Sequence, residues 1–182
     1  MISEKKFVSR GGEKLAFGLK HFEIEVKDKI CADFGCSTGG FTDCLLQNGA
    51  RKVYSVDTAY GELAWKLRND PRVVVMERTN AMHVSLPESV DLIAVDTGWT
   101  KQAKVIPNAL KNLKKDGVIV SLVKPHYEAG KNKLSETEIK KVLEEVKNEI
   151  ASLGLAMTGV VESPILGGRA ENKEFLMLIT KG

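Results

Sequence analysis

No run of this sequence approaches the roughly 20 consecutive apolar residues that a membrane-crossing helix needs, so no transmembrane span is expected. The opening Met1-Ile2-Ser3-Glu4-Lys5-Lys6 has no apolar centre of the kind a secretion signal requires. Cysteine is scarce. Cys31, Cys36 and Cys44 are the only three, and none stands at C-x-x-C spacing. That argues against a zinc site or a disulfide framework and for reduced thiols packed as small apolar groups. The expected location is therefore the cytoplasm, and no metal is expected. Internal repeats and low-complexity linkers are also missing. What remains is a single domain, 1–182, with residues 1–28 as an N-terminal segment and short helix on the substrate side. Its 182 residues are enough to bury a proper core.

The net charge is only +3, but it is unevenly placed. Lys101, Lys104, Lys111, Lys114, Lys115, Lys124, Lys131 and Lys133 crowd one third of the chain, against only Asp116 and Glu128. Lys5, Lys6, Arg10 and Lys14 add to the N-terminus. A basic face fits a polyanion such as RNA. Solvated helix faces would give the same pattern, and charge alone leaves the two readings even. The sequence carries no signal for an oligomeric state.

Apolar periodicity sets out the elements. Leu15, Leu19 and Phe22 mark a short amphipathic helix. Strands are then predicted near 30–34, 52–56, 72–76, 91–95, 117–123, 155–161 and 174–180, and helices near 40–48, 60–68, 101–114 and 136–152. Ser135 and Glu138 form a capping box ahead of the stripe Ile139, Val142, Leu143, Val146 and Ile150. Such alternation predicts an α/β protein with a Rossmann-like, mostly parallel seven-stranded sheet and helices on both faces. No helix separates the last two strands, so they are expected to pair antiparallel at one edge.

The functional signal is concentrated at Asp33-Phe34-Gly35-Cys36-Ser37-Thr38-Gly39-Gly40-Phe41, between the first strand and a helix. A glycine-rich strand-to-helix turn lets the backbone pass close to a nucleotide-like ligand. The spacing here is G-x-x-x-G-G rather than the G-x-G-x-x-G of dinucleotide sites. Asp33, expected at the strand end facing the crevice, suits a cation better than a phosphate. S-adenosylmethionine (SAM) carries an ammonium and a sulfonium and no phosphate. Asp57 closes the next strand about 20 residues further on, the separation at which an acid grips ribose hydroxyls. Asn80, Asp96 and Lys124 follow the third, fourth and fifth strands and should face the same crevice.

With those residues in view, the sequence resembles the FtsJ-type ribose 2′-O-methyltransferases, within them the TlyA (hemolysin A) group acting on ribosomal RNA. The resemblance rests on V-S-R-G-G-x-K-L at Val8 to Leu15 and D-x-G-x-S-T-G-G-F-T-D-C-L-L at Asp33 to Leu46. It continues through K-L-R-N-D-P-R-V at Lys66, E-R-T-N-A at Glu77, V-K-P-x-x-E-A-G at Val123 and N-x-E-F-L at Asn172. It implies a catalytic tetrad of Lys14, Asp96, Lys124 and Glu174, with Lys124 as general base. It also implies SAM contacts from Gly39, Phe41, Asp57, Asn80 and Asp96. Asp33, Gly35, Ser37, Thr38 and Gly40 complete the cofactor stretch. Lys14 is expected to ease deprotonation of Lys124 by adding a second cation beside it.

Two departures bear on the substrate. TlyA proteins carry an RNA-binding domain ahead of the part matched here, so RNA targeting is expected from the domain surface or a partner. After Asp96 the group reads V-S-F-I-S, whereas this chain has Thr97-Gly98-Trp99-Thr100-Lys101. Trp99, like Tyr127, could stack on a base or close over SAM. Three other readings compete: methylation of a non-RNA acceptor, a non-catalytic SAM- and RNA-binding ribosome-associated factor, and pore formation. Neither of the first two needs a lysine pair, and no strongly amphipathic surface segment supports the third.

Overall fold

The computed structural model describes residues 6–168 and 171–181; the basic contribution expected of Lys5 lies outside them. Seven strands form one sheet: β1 (Ile30–Phe34), β2 (Lys52–Val56), β3 (Val73–Met76), β4 (Val90–Val95), β5 (Leu113–Val123), β6 (Leu155–Glu162) and β7 (Phe175–Lys181). Their order is β3-β2-β1-β4-β5-β7-β6. The β1–β5 pairings are all parallel, while β7 runs antiparallel to both β5 and β6. The expected antiparallel pair is present, with β7 slotted inside β6 rather than at the rim.

Helices cover both faces because the central strands are apolar on both. Cys31, Leu92, Ala94 and Val120 point into one cluster, under α1 (Gly11–His21) and α2 (Gly40–Gln47), with Leu15, Leu19 and Leu45. Their neighbours Ala32, Phe34, Ile93, Val95 and Ile119 point into the other. That one lies beneath α4 (Gln102–Asn112) and α6 (Glu136–Ser152), which contribute Val105, Ile106, Val142, Val146 and Ile150. Near-continuous apolar strands are the signature of a sheet buried on both sides. The Ser135–Glu138 capping box is formed. The three cysteines are buried and free, and burial pushes the thiol of Cys31 up to about 12.

Three elements differ from expectation. The helix expected over 60–68 shrinks to α3 (Trp65–Arg68). The preceding residues are held as a loop, with Gly61 at φ +79° and its N–H donated to the Glu77 carboxylate. β5 starts at Leu113 instead of near 117, because Leu113 pairs with Val90 across a register shift. A helix not expected, α5 (Pro125–Ala129), follows β5 directly. Its signals were present in the sequence: proline at the first helical position and a left-handed Gly130 just past the end. No helix among the described residues is long and apolar enough to cross a membrane.

Candidate active site

The site lies where the strand order reverses, between β1 and β4, beyond their carboxyl ends. This is where ligands bind in open parallel sheets. Two cavities meet there and share Gly35, Ser37 and Asp96. One, of about 200 Å³, is lined by Asp57, Thr58, Asn80, Ala81 and Thr97 among others. The other, of about 240 Å³, opens toward α1 and is lined by Arg10, Lys14, Thr38, Gly40 and Phe41.

The turn after β1 is held from both sides. The Gly35 N–H donates to the Val56 carbonyl at 2.8 Å, and Asp96 N–H donates to the Phe34 carbonyl at 2.9 Å. A Cβ on Gly35 would sit 2.5 Å from the Asp96 carbonyl oxygen, at a φ of +90°. Only glycine lets the β1 and β4 ends converge so closely. Gly35→Ala is expected to cost about 1–3 kcal/mol from the backbone conformation alone. It should also push Asp96 out of place, lowering both the urea midpoint and the affinity for SAM measured by calorimetry. Gly39 serves differently. It lines neither cavity, and its φ of +98° starts α2 in a position where a Cβ would strike Leu67 and Leu63.

Asp57 stands at the end of β2 with Oδ2 accepting the Ser37 N–H at 2.7 Å and Oδ1 accepting that of Ala59 at 2.8 Å. It thus ties the glycine turn to the second strand and also lines the first cavity. Asn80 caps its own loop, its Oδ1 accepting the Met82 N–H at 2.9 Å, and also lines this cavity.

Asp33 departs from the expectation that it faces the crevice. It is fully buried and lines neither cavity. Its Oδ2 accepts from the N–H and the hydroxyl of Thr42, at 2.8 and 2.7 Å, so it anchors the start of α2 from below. Its Oδ1 has no partner among the described residues. Burial pushes the Asp33 carboxyl up to about 7, against the lowering effect of the Thr42 bonds. An acid whose folded pKa is raised holds its proton in the folded state and loses it in the unfolded one. The contribution of Asp33 to stability is therefore greatest at acid pH and declines as pH rises from about 3.8 to about 7. The slope is on the order of 1 kcal/mol per pH unit, and Asp33→Asn is expected to flatten it in urea titrations of the ligand-free protein.

Asp96, which lines both cavities, accepts from Lys124 Nζ at 2.5 Å; Lys124 itself lines neither. On the α1 side, Lys14 Nζ donates to Glu174 Oε2 at 2.5 Å, across 160 positions of sequence. This second pair is buried, with side-chain exposures of 11% and 4%, not the surface ion pair those residues alone would suggest. The Lys124 ammonium is largely buried, which favours the neutral amine, yet Asp96, and then Glu174, outweigh burial and raise its pKa above 10.5. The expected easing of deprotonation by Lys14 is not realised, because Lys14 is itself neutralised by Glu174.

A third cavity, of about 340 Å³, is lined by Trp99, His126, Tyr127, Lys131, Asn132 and Asn172 among others. Trp99 is 81% exposed and stacks on Tyr127, ring centroids 4.2 Å apart at 24°. It lines neither of the first two cavities. Its backbone is held at φ 58°, a conformation that costs a non-glycine residue energy and is kept where the surroundings impose it. Tyr127 in turn lies 5.6 Å from Lys124 Nζ.

The residues fit SAM on the chain's own chemistry. The charged groups lining the Asp57 cavity are Asp57 and Asp96, with no lysine or arginine to meet a phosphate. Asp57 offers acceptors for ribose hydroxyls, Asp96 an anion for a cationic centre, and Arg10 a cation for a carboxylate at the far end. No cluster of possible metal ligands exists among the described residues.

Comparison with known proteins gives the same reading. A family model described as FtsJ-like methyltransferase matches residues 7–180. The 16S/23S rRNA (cytidine-2′-O)-methyltransferase TlyA of Mycobacterium tuberculosis is 41% identical over 98% of this chain and 70% of its own length. Hemolysin A of Brachyspira hyodysenteriae is 37% identical over 97% of this chain and 78% of its own. A solved structure from Streptococcus thermophilus, described as a hemolysin, superposes with a TM-score of 0.92 at 38% identity, covering all of this chain and 69% of that one.

Proposed function

This chain belongs to the FtsJ-like methyltransferase family, a family of SAM-dependent enzymes, and we propose that it methylates a ribose 2′-hydroxyl of ribosomal RNA in the cytoplasm. The observation that carries this reading is Lys124, its ammonium set on Asp96 where the two cavities meet and opposite the buried Lys14–Glu174 pair. SAM supplies the methyl group when bound. A ribose hydroxyl is a poor nucleophile until its proton is removed, and Lys124 in its neutral form is the group placed to take that proton. Asp96 fixes the direction of the Lys124 side chain. Glu174 and Lys14 hold the floor beneath, so that the acceptor oxygen is aligned for attack rather than free to turn.

The acceptor's base is assigned to the third cavity. The Trp99–Tyr127 stack presents an exposed aromatic face within one nucleotide's reach of Lys124, and bases splayed from single strands settle on such faces. Exposed Lys101, just before α4, and Lys104 in its first turn supply cations for phosphates on the side of Trp99. A non-RNA acceptor would need neither feature.

The test is incubation with methyl-labelled SAM and ribosomal subunits, naked ribosomal RNA or transfer RNA, beside Lys124→Ala. Label on an RNA ribose, lost in the variant, is the expected result. SAM binding without label on any RNA would overturn the assignment.

A further inference from the structure

The two rings of the Trp99–Tyr127 stack come from separate segments. Trp99 lies in the loop 97–101 between β4 and α4, and Tyr127 lies on α5. That loop is anchored at both ends. At one, the Asp96 N–H donates to the Phe34 carbonyl. At the other, the N–H of Gln102, the first residue of α4, donates to the Glu128 carboxylate of α5 at 2.9 Å. Gln102 is buried, its side chain donating to the Leu122 carbonyl at 3.3 Å and accepting from the Ser121 hydroxyl at 2.6 Å.

The first N–H groups of a helix have no partner within it, and a Ser, Thr, Asp or Asn just ahead of the helix ordinarily accepts one of them. Ahead of α4 stands Lys101, which makes no such bond and whose cation is of the wrong sign for a helix start. Glu128 takes that place from another helix, with the sign the helix dipole favours. It lines none of the three cavities. Its carboxylate is kept there although burial raises its pKa above 4.5, against the lowering effect of the Gln102 bond.

We infer that Glu128 is a positioning residue for the acceptor's base, which by capping α4 from α5 holds Trp99 against Tyr127. This role presupposes that the third cavity seats that base. Trp99 has little else to keep it in place. Its side chain is 81% exposed, and its backbone sits at φ 58°, which relaxes unless its surroundings impose it. Gly98, just before it, has open space around it and would let the loop turn. Glu128 is also the neighbour of Tyr127 on α5, so the loop's anchor and the ring it must meet belong to one rigid turn. With the carboxylate gone, the start of α4 and the loop are free to part from α5, and the stack opens.

The experiment reads the stack and the reaction separately. In a Trp65→Phe background, Trp99 is the sole tryptophan, and time-resolved fluorescence anisotropy reports how freely it turns. Trp99 should move with the whole protein, and Glu128→Ala should add a fast local component. On RNA that the wild type labels, Glu128→Ala should lower kcat/KM by about ten- to a hundredfold, the scale of a small misplacement, with SAM affinity unchanged. Glu128→Gln, which keeps an acceptor oxygen, should recover much of the loss. Glu128→Asp, one methylene short of Gln102, should act as a milder Glu128→Ala and serves if the alanine variant does not fold. Added to Trp99→Ala, Glu128→Ala should cost less than about twofold more, because residues acting through one contact are not additive. A Trp99 that stays rigid without Glu128, or losses that multiply in the double variant, would overturn the role of Glu128 and leave the methyltransferase reading intact. Undiminished kcat/KM in Trp99→Ala would overturn the seating of the base in the third cavity and this role with it. A wild type that binds SAM and labels no RNA would overturn the methyltransferase reading as well.

Discussion

Replacing Lys124 by alanine is expected to lower the rate of methyl transfer by about two to four orders of magnitude, the usual contribution of a positioned general base. SAM affinity should change little, because the Asp57 cavity is lined without Lys124. The pH profile gives a separate check. Lys124 is buried beside Asp96 and Glu174, and its pKa is held above the ordinary 10.5. Only the neutral amine can accept a proton, so its population increases about tenfold with each pH unit below that pKa. The wild-type kcat/KM should therefore rise steadily across neutral and mildly alkaline pH without reaching a plateau, and the Lys124→Ala profile should be flat. A plateau near neutrality would mean that the reaction draws on a group other than Lys124.

Truncation of Glu174 should produce the largest loss of stability. Its partner Lys14 is buried at the contact between α1 and β7, where Gly18 of the helix packs on Leu176 of the strand. Glu174→Ala would leave an ammonium there without a counter-charge, and breaking a buried pair in this way costs about 3–5 kcal/mol. Chemical denaturation should show the midpoint falling with little change in slope. The double variant Lys14→Met/Glu174→Leu should recover most of that stability, because an apolar pair of similar volume carries no desolvation cost. It should not recover methyl transfer. Stability without activity in the double variant would separate the pair's role in the reaction from its role in holding α1.

The features legible in the sequence are those whose cause is local. The capping box at Ser135, the apolar strands and the glycine turn after Phe34 each depend on residues within a few positions of one another, and all are present. α5 was written equally locally, by Pro125 and Gly130, but it is five residues long and shows no apolar period. The shortened α3 was not legible, because the loop before it is held by Glu77, sixteen positions away.

The sequence by itself determined the doubly covered sheet and the set of polar residues at its strand ends, because two-sided burial and strand-to-helix turns follow from residue type and spacing. Only the tertiary structure decided how those residues pair. It put Asp33 beneath the crevice instead of in it. It joined Lys14 to Glu174 across the length of the chain, leaving Lys124 to Asp96 and raising its pKa rather than lowering it. It stacked Trp99 on Tyr127. Ionisation, burial and stacking depend on distances in space, and the folding of the sheet around one switch point sets those distances.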